Sequence, residues 1–261
     1  MRKFLTLAAA AAAVMFGASA HAVPTLIITL TDTGSATSLS CSLDASNVGG
    51  STVCSGLGYS FTAGFANGAG NLEMSFGGTV GGYTLSFSST QSNTPGSVFE
   101  AVITNSYTNV SNISSGGSLL VSLAAHDFTL PAGPALTLFG SQGLSSNSSN
   151  PGTITSNFYA SSTNATFAST APSATTACSV LAATATSCNA TQQNFINTGT
   201  FSLEDVIVFD LDVKTATMSP VQGSSNLVVR NRVPEPMTTA LVGLGLFGAA
   251  FFSRRRKAVT A

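Results

Sequence analysis

Tryptophan is absent, and between Lys3 and Lys214 there is no lysine or arginine. Charged residues make up 7% of the 261 positions, against roughly 25% in an average soluble chain. The charges of that interval and its edge are acids: Asp32, Asp44, Glu73, Glu100, Asp127, Glu204, Asp205, Asp210 and Asp212. A formal net charge of −1 therefore hides cationic ends and an anionic middle. Such a middle repels a phosphate backbone, which argues against nucleic-acid binding. Solubility must come from Ser, Thr, Asn and Gly rather than from charge.

Histidine is nearly missing too. Beyond His21 there is only His126, followed by Asp127. A Ser/His/Asp hydrolase is not expected, because adjacent residues of a strand point to opposite faces and Asp127 would then be turned away from His126. Glycoside hydrolysis needs a pair of carboxyl groups across a sugar ring. Acids are available, but the body offers neither tryptophan nor, before Lys214, a basic residue to hold a sugar. The reading is a non-enzymatic protein with no cofactor. Asp210 and Asp212 alternate along one apolar run, so a Ca²⁺ site built on them is weighed. A solvated strand edge is the simpler account.

What is present begins with a basic pair, Arg2 and Lys3, then an apolar stretch from Phe4 to Ala18, then Ala20-His21-Ala22. These are the three parts of a secretory signal with a small-residue cleavage site at Ala20 and Ala22, so a mature chain starting at Val23 is expected. At the other end, Met237 to Phe252 is charge-free and apolar, and Arg254, Arg255, Arg256 and Lys257 follow one serine later. The run is slightly short of the roughly 17–25 residues of an unstrained membrane span, but the basic flank fits the cytoplasmic side of an inserted helix. Pro234-Glu235-Pro236 stands just before it, and two prolines keep that point extended and accessible.

Together the V-P-E-P stretch, the Gly-containing apolar run and the Arg-rich end resemble the PEP-CTERM sorting signal of Gram-negative bacteria, over Val233 to the C-terminus. The resemblance implies handling by an exosortase, a membrane protease-transpeptidase, after export by the secretion machinery. It also implies an association with exopolysaccharide, biofilm or floc formation. On that resemblance Pro234, Glu235 and Pro236 are the recognition residues, and Arg254 to Lys257 the cytoplasmic anchor. A permanent one-span anchor is the competing reading of the tail.

Between the two ends, residues 23–232 read as an exported body of short strands. Apolar and polar residues alternate in Tyr59–Phe65, Leu72–Phe76, Tyr83–Phe87, Phe99–Ile103, Leu119–Leu123 and Ile207–Val213, with glycine-bearing turns between. No long segment of the body has a 3.6-residue period. The predicted fold is all-β, an antiparallel β-sandwich of jelly-roll-like topology, flanked by a signal helix and a transmembrane helix. Residues from about 141 to 193 carry few large apolar side chains and read as Ser/Thr/Asn-rich loops with one or two edge strands. Asn109, Asn112, Asn147, Asn164 and Asn189 each open an Asn-x-Ser/Thr triplet, which chance explains in so Ser/Thr-rich a chain. Thr29, Thr31 and Thr33 share a strand face, too small an array for ice or polysaccharide.

Four cysteines remain after the signal. Their spacing is unlike that of a zinc site, and export makes disulfides the natural state. Four cysteines allow three pairings; local closure of Cys41 with Cys54 and of Cys178 with Cys188 is the simplest. An envelope or extracellular matrix component is the function expected, with a carbohydrate-binding module as the alternative and a secreted hydrolase as a distant third.

Overall fold

Among the described residues the period-two runs fall in strands, except at the ends of two of them, where Phe99 and Val213 lie outside and are exposed. The structure, a computed structural model, describes residues 25–44, 60–66, 71–94, 96–145 and 149–232. It contains fourteen strands: β1 (Thr25–Asp32), β2 (Thr37–Asp44), β3 (Ser60–Ala66), β4 (Asn71–Val80), β5 (Tyr83–Ser92), β6 (Glu100–Asn112), β7 (Leu119–Phe128), β8 (Ala135–Leu144), β9 (Gly152–Ser161), β10 (Ala174–Leu181), β11 (Ser187–Asn189), β12 (Gln193–Ile196), β13 (Phe201–Leu211) and β14 (Val221–Asn231). The signal segment with Ala20 and Ala22, and the tail with Pro234, Glu235, Pro236 and Arg254 to Lys257, lie outside the described residues, as does Cys54. Among the described residues no helix is long and apolar enough to cross a membrane.

The strands form two antiparallel sheets. One has six strands in the order β10-β9-β13-β7-β1-β2; the other has eight, β11-β8-β14-β6-β5-β4-β3, with β12 also paired to β8. From β6 onward the chain alternates between sheets at each connection except the β9–β10 hairpin and the step from β11 to β12 along one edge. That places β11/β12-β8-β14-β6 opposite β10-β9-β13-β7, the strand order of a jelly roll. β1 and β2 widen one sheet, and β5, β4 and β3 widen the other.

One apolar core lies between the sheets. Leu26, Ile28 and Leu30 of β1, Ile103 and Tyr107 of β6, Leu136 and Leu138 of β8, and Ile207 and Phe209 of β13 all contribute to it, each no more than 1% exposed. Tyr107 meets Phe209 edge-on across the gap, with centroids 5.1 Å apart, and Phe195 meets Phe201 at 6.2 Å. Gly140 of β8 is required by the same packing. A Cβ there would stand 2.1 Å from the ring of Phe158 on the facing sheet.

The 141–193 stretch is not mainly loop. It supplies the end of β8, all of β9, β10 and β11, and the start of β12, and β9 is an interior strand between β10 and β13. Its large side chains are few, but Ile154, Phe158 and Ala160 fall at even spacing and are fully buried, with Ser156 between them on the same face. Spacing on one face, rather than apolar content, decided the outcome. Cys178 and Cys188 are bonded, with Cα atoms 5.9 Å apart. They join β10, an edge of one sheet, to β11, an edge of the other, so the bridge laces the sandwich shut along that side. Cys41 is also in a disulfide.

The two ends of the barrel-like stack differ. Thr25, residues 96–99, the 129–134 and 197–200 connections, and Arg232 share one end, the exit end. The 33–36, 81–82 and 113–118 connections share the far end, where Asp32 is fully buried. Its carboxylate accepts hydrogen bonds from Gly34 N (2.9 Å), Ser35 Oγ (2.8 Å), Gly82 N (2.7 Å) and Ser115 Oγ (2.5 Å). Three turns are thereby tied to one group. Burial alone would raise the Asp32 carboxyl; the four hydrogen bonds outweigh it and hold it at about 2. Gly81, at φ +54°, leaves room for this carboxylate, which a Cβ would approach to 2.1 Å. Asn112 continues the network, donating to Ser115 O and Leu211 O and accepting from Ser115 N.

Candidate functional site

The outer face of the eight-stranded sheet is lined by alternate residues of its central strands. Val102, Thr104 and Ser106 of β6, Asn226 and Arg230 of β14, and Phe139 and Ser141 of β8 point away from the core, as the burial alternation of those strands shows, and Val228, itself buried, lines the groove on the same face. β11 covers β8 at Ser141–Gly143 and β12 covers it at Ala135–Leu138. Between these two strands the register slips, residues 190–192 running opposite 139–140 with Ala190 N bonded to Gly140 O at 2.8 Å, and a groove of about 400 Å³ forms there, lined by Phe139, Ser141, Asn189, Gln192, Asn226 and Arg230 among others. Arg230 Cζ stands 5.9 Å from the centre of the Phe139 ring, within cation–π range. Its Nε and Nη2 reach Glu100 Oε2 at 3.1 and 3.0 Å. A second hollow of about 270 Å³ runs on across β14 to β6, lined by Thr104, Ser106, Ser224 and, shared with the first, Asn226.

An aromatic ring, a planar guanidinium and several neutral amides and hydroxyls make up this surface. Such a set offers an apolar platform with donors and acceptors around it, suited to a neutral ligand rich in hydroxyl groups. Chain reading missed it because its parts come from three strands and the β11–β12 break. The signal was there only in halves: Phe139/Ser141 and Asn226/Val228/Arg230, each at spacing two.

Asp210 and Asp212 take up separate contacts. Asp210 is exposed on β13 and accepts from Ser118 Oγ at 3.3 Å, while Asp212 lies just past the end of the strand and bonds through its backbone N to Pro151 O. Among the described residues no group of three or more His, Cys, Asp and Glu side chains could hold a metal ion. Glu204 and Asp205, close to them in sequence, are buried on β13, an interior strand. Glu204 accepts from Ser122 Oγ (2.5 Å) and from Ser169 N (2.8 Å), pinning the 3-10 turn Ala168–Thr170 over the sheet. Asp205 faces the core and accepts from Ser225 Oγ of the opposite sheet. Burial raises its carboxyl to about 7; the Ser225 bond opposes the rise and the nearby Glu204 charge adds to it.

His126 and Asp127 correct a premise of the sequence reading. Asp127 has φ +68°, which breaks the alternation and brings its Oδ2 to 2.6 Å from His126 Nδ1. Asn164 closes the group, donating Nδ2 to Asp127 Oδ1 (2.7 Å) and accepting from Asp127 N (2.8 Å). The trio fastens the 162–173 connection to the end of β7. Thr29 and Thr31 pair with Ser40 and Ser38 of β2 at 3.1 and 3.0 Å, and Thr33 lies beyond β1, bonded to Ser118 O. They act as cross-strand pairs.

No curated protein matches the chain. A family description, the PEP-CTERM protein-sorting motif, matches residues 232–257, beginning one residue past the end of β14. The chain therefore carries a PEP-CTERM sorting signal, which marks it as an exported, envelope-targeted substrate of exosortase-dependent sorting.

Proposed function

We propose that the sandwich is a non-catalytic surface or matrix component of the envelope, released from or transferred by its tail. The sorting motif following directly on β14 carries this reading. The route delivers a folded body whose His126, Asp127, Glu204 and Asp32 are already engaged in hydrogen bonds that hold turns and connections in place. In this reading Pro234-Glu235-Pro236 is read by the exosortase, residues 237–252 hold the chain in the membrane, and Arg254 to Lys257 keep its end in the cytoplasm. Glu235→Ala should block maturation while insertion continues, because orientation depends on hydrophobicity and flanking positive charge. The check is the size and fractionation of the protein in a host with an active exosortase. Trimming at the wild-type rate would reduce the triplet to a linker.

The groove favours a second reading, a carbohydrate-binding module of the matrix. Phe139 and Arg230 supply a flat platform, and Asn189, Gln192 and Asn226 supply neutral hydrogen-bonding groups. Retention on the cell's own exopolysaccharide separates the readings. A binding module is held and loses about tenfold in affinity on Phe139→Ala, the usual order for truncating a central aromatic contact. A purely structural component passes through unretained, and shortening of the polymer would point to the hydrolase.

A further inference from the structure

The rim around the chain's exit is apolar. Among the described residues, the three most exposed large apolar side chains are Phe99 (79%), Ile196 (74%) and Val98 (62%), and all three are at the exit end. Strand pairing sets them in a row. Arg230 of β14 is paired with Glu100 of β6 on one side and Thr137 of β8 on the other. Arg232 N bonds Ala135 O at 3.0 Å, and Ala135 is paired with Ile196. Neighbouring strands are about 4.8 Å apart, so Val98 and Phe99 flank the departing chain on one side and Ile196 flanks it on the other. Phe99 is held outward by a fastened turn. Ser97 Oγ accepts from Phe99 N (3.3 Å) and Glu100 N (3.0 Å), and Ser97 N donates to Glu100 O (2.8 Å).

Covalent reach decides what can cover this rim. Only residues 233–236 separate Arg232 from the apolar run at Met237, so even a fully extended chain puts no more than roughly 17 Å between the two. The polar layer of a bilayer takes up about 5–8 Å of that. Arg232 ends the described chain beside this rim, and Arg230 next to it is paired with Glu100.

We infer that this rim rests on the lipid bilayer, with Phe99, Val98 and Ile196 seated among the headgroups while the tail is inserted, so that Pro-Glu-Pro is presented at the membrane surface. The inference rests on the reading of residues 237–252 as a membrane span. Its occupant is lipid, because exposed aromatic and aliphatic side chains within covalent reach of an inserted tail match the headgroup boundary.

The chain's lack of tryptophan makes the test direct. Phe99→Trp, Ile196→Trp and, at the far end, Val213→Trp each give the full-length precursor one indole at an exposed site. The precursors are reconstituted into vesicles of phosphatidylethanolamine and phosphatidylglycerol, with and without bromine on the acyl chains. Emission from the first two should move to the blue and be quenched by the brominated lipid, and emission from the third should do neither. Tail insertion is scored separately as resistance to alkaline extraction. An inserted tail with an unquenched Phe99→Trp would overturn the inference and leave the span intact; an extractable tail would overturn both. A blue shift seen only when exosortase is present, with no quenching by lipid, would assign the rim to the protease and equally overturn the inference.

Discussion

Asp32→Ala should destabilise the purified protein by about 3–5 kcal/mol, the range for removing one member of a buried, charge-assisted network. In a body of this size that is a fall of roughly 10 °C or more in Tm. Three turns lose their common acceptor at once, because Gly34, Gly82, Ser35 and Ser115 all donate to the one carboxylate. The group's titration gives a second readout. Its folded pKa of about 2 lies below the ordinary 3.8, so its contribution is complete above about pH 4 and is lost as the pH falls through 2. Denaturant melts at neutral pH test the first claim, and acid titration of wild type against Asp32→Asn tests the second. A neutral-pH loss under 1 kcal/mol would show that the far end is closed without this group.

Asp205 has the opposite sign. Its carboxyl, raised from 3.8 to about 7, keeps its proton in the folded state over a range in which the unfolded chain has released it. The folded state therefore binds more protons between about pH 4 and pH 7, and stability falls across that window by about 1.4 kcal/mol per pH unit, roughly 4 kcal/mol in all. The advantage is fully present below the unfolded pKa and gone above 7. Wild-type protein should be about 3 kcal/mol less stable at pH 8 than at pH 5. Asp205→Asn, which has no proton to lose, should show little of this slope and be the more stable protein at pH 8. Equal stability of the wild type at the two values would mean that this aspartate is ionised in the core.

Both groups mark a limit of reading the chain alone. Strand positions such as Leu72–Phe76, Tyr83–Phe87 and Leu119–Leu123 are legible because a strand's inward face is written at spacing two, and the structure has strands at all of them. The sorting signal is legible because its function depends on local order in the chain. β9 was hidden because Ser156 and Ala160 occupy its inward face beside only two large apolar residues, Ile154 and Phe158. Asp205 reads as a surface acid until Ser225, from the other sheet, is placed opposite it. Asp127 defeats the alternation rule by a single positive φ, supported by an asparagine 37 residues away. The groove depends on the slip in register where β11 gives way to β12 along β8, which is a property of three pairings rather than of any segment.

The position of β14 also has a mechanical meaning. It is an interior strand, bonded along its length to β6 on one side and β8 on the other, and the tail leaves directly from its end. A pull on the tail, whether from a membrane anchor under flow or from a protease drawing the chain in, acts along the strand axis. Loaded in that direction, the hydrogen bonds of both ladders share the force and must give way together, whereas an edge strand peeled sideways would release them one by one. The body can thus hang from its tail as a load-bearing unit, and trimming beyond the motif is resisted by the first bonds it meets, from Arg232 to Ala135 and along Asn231 and Arg230.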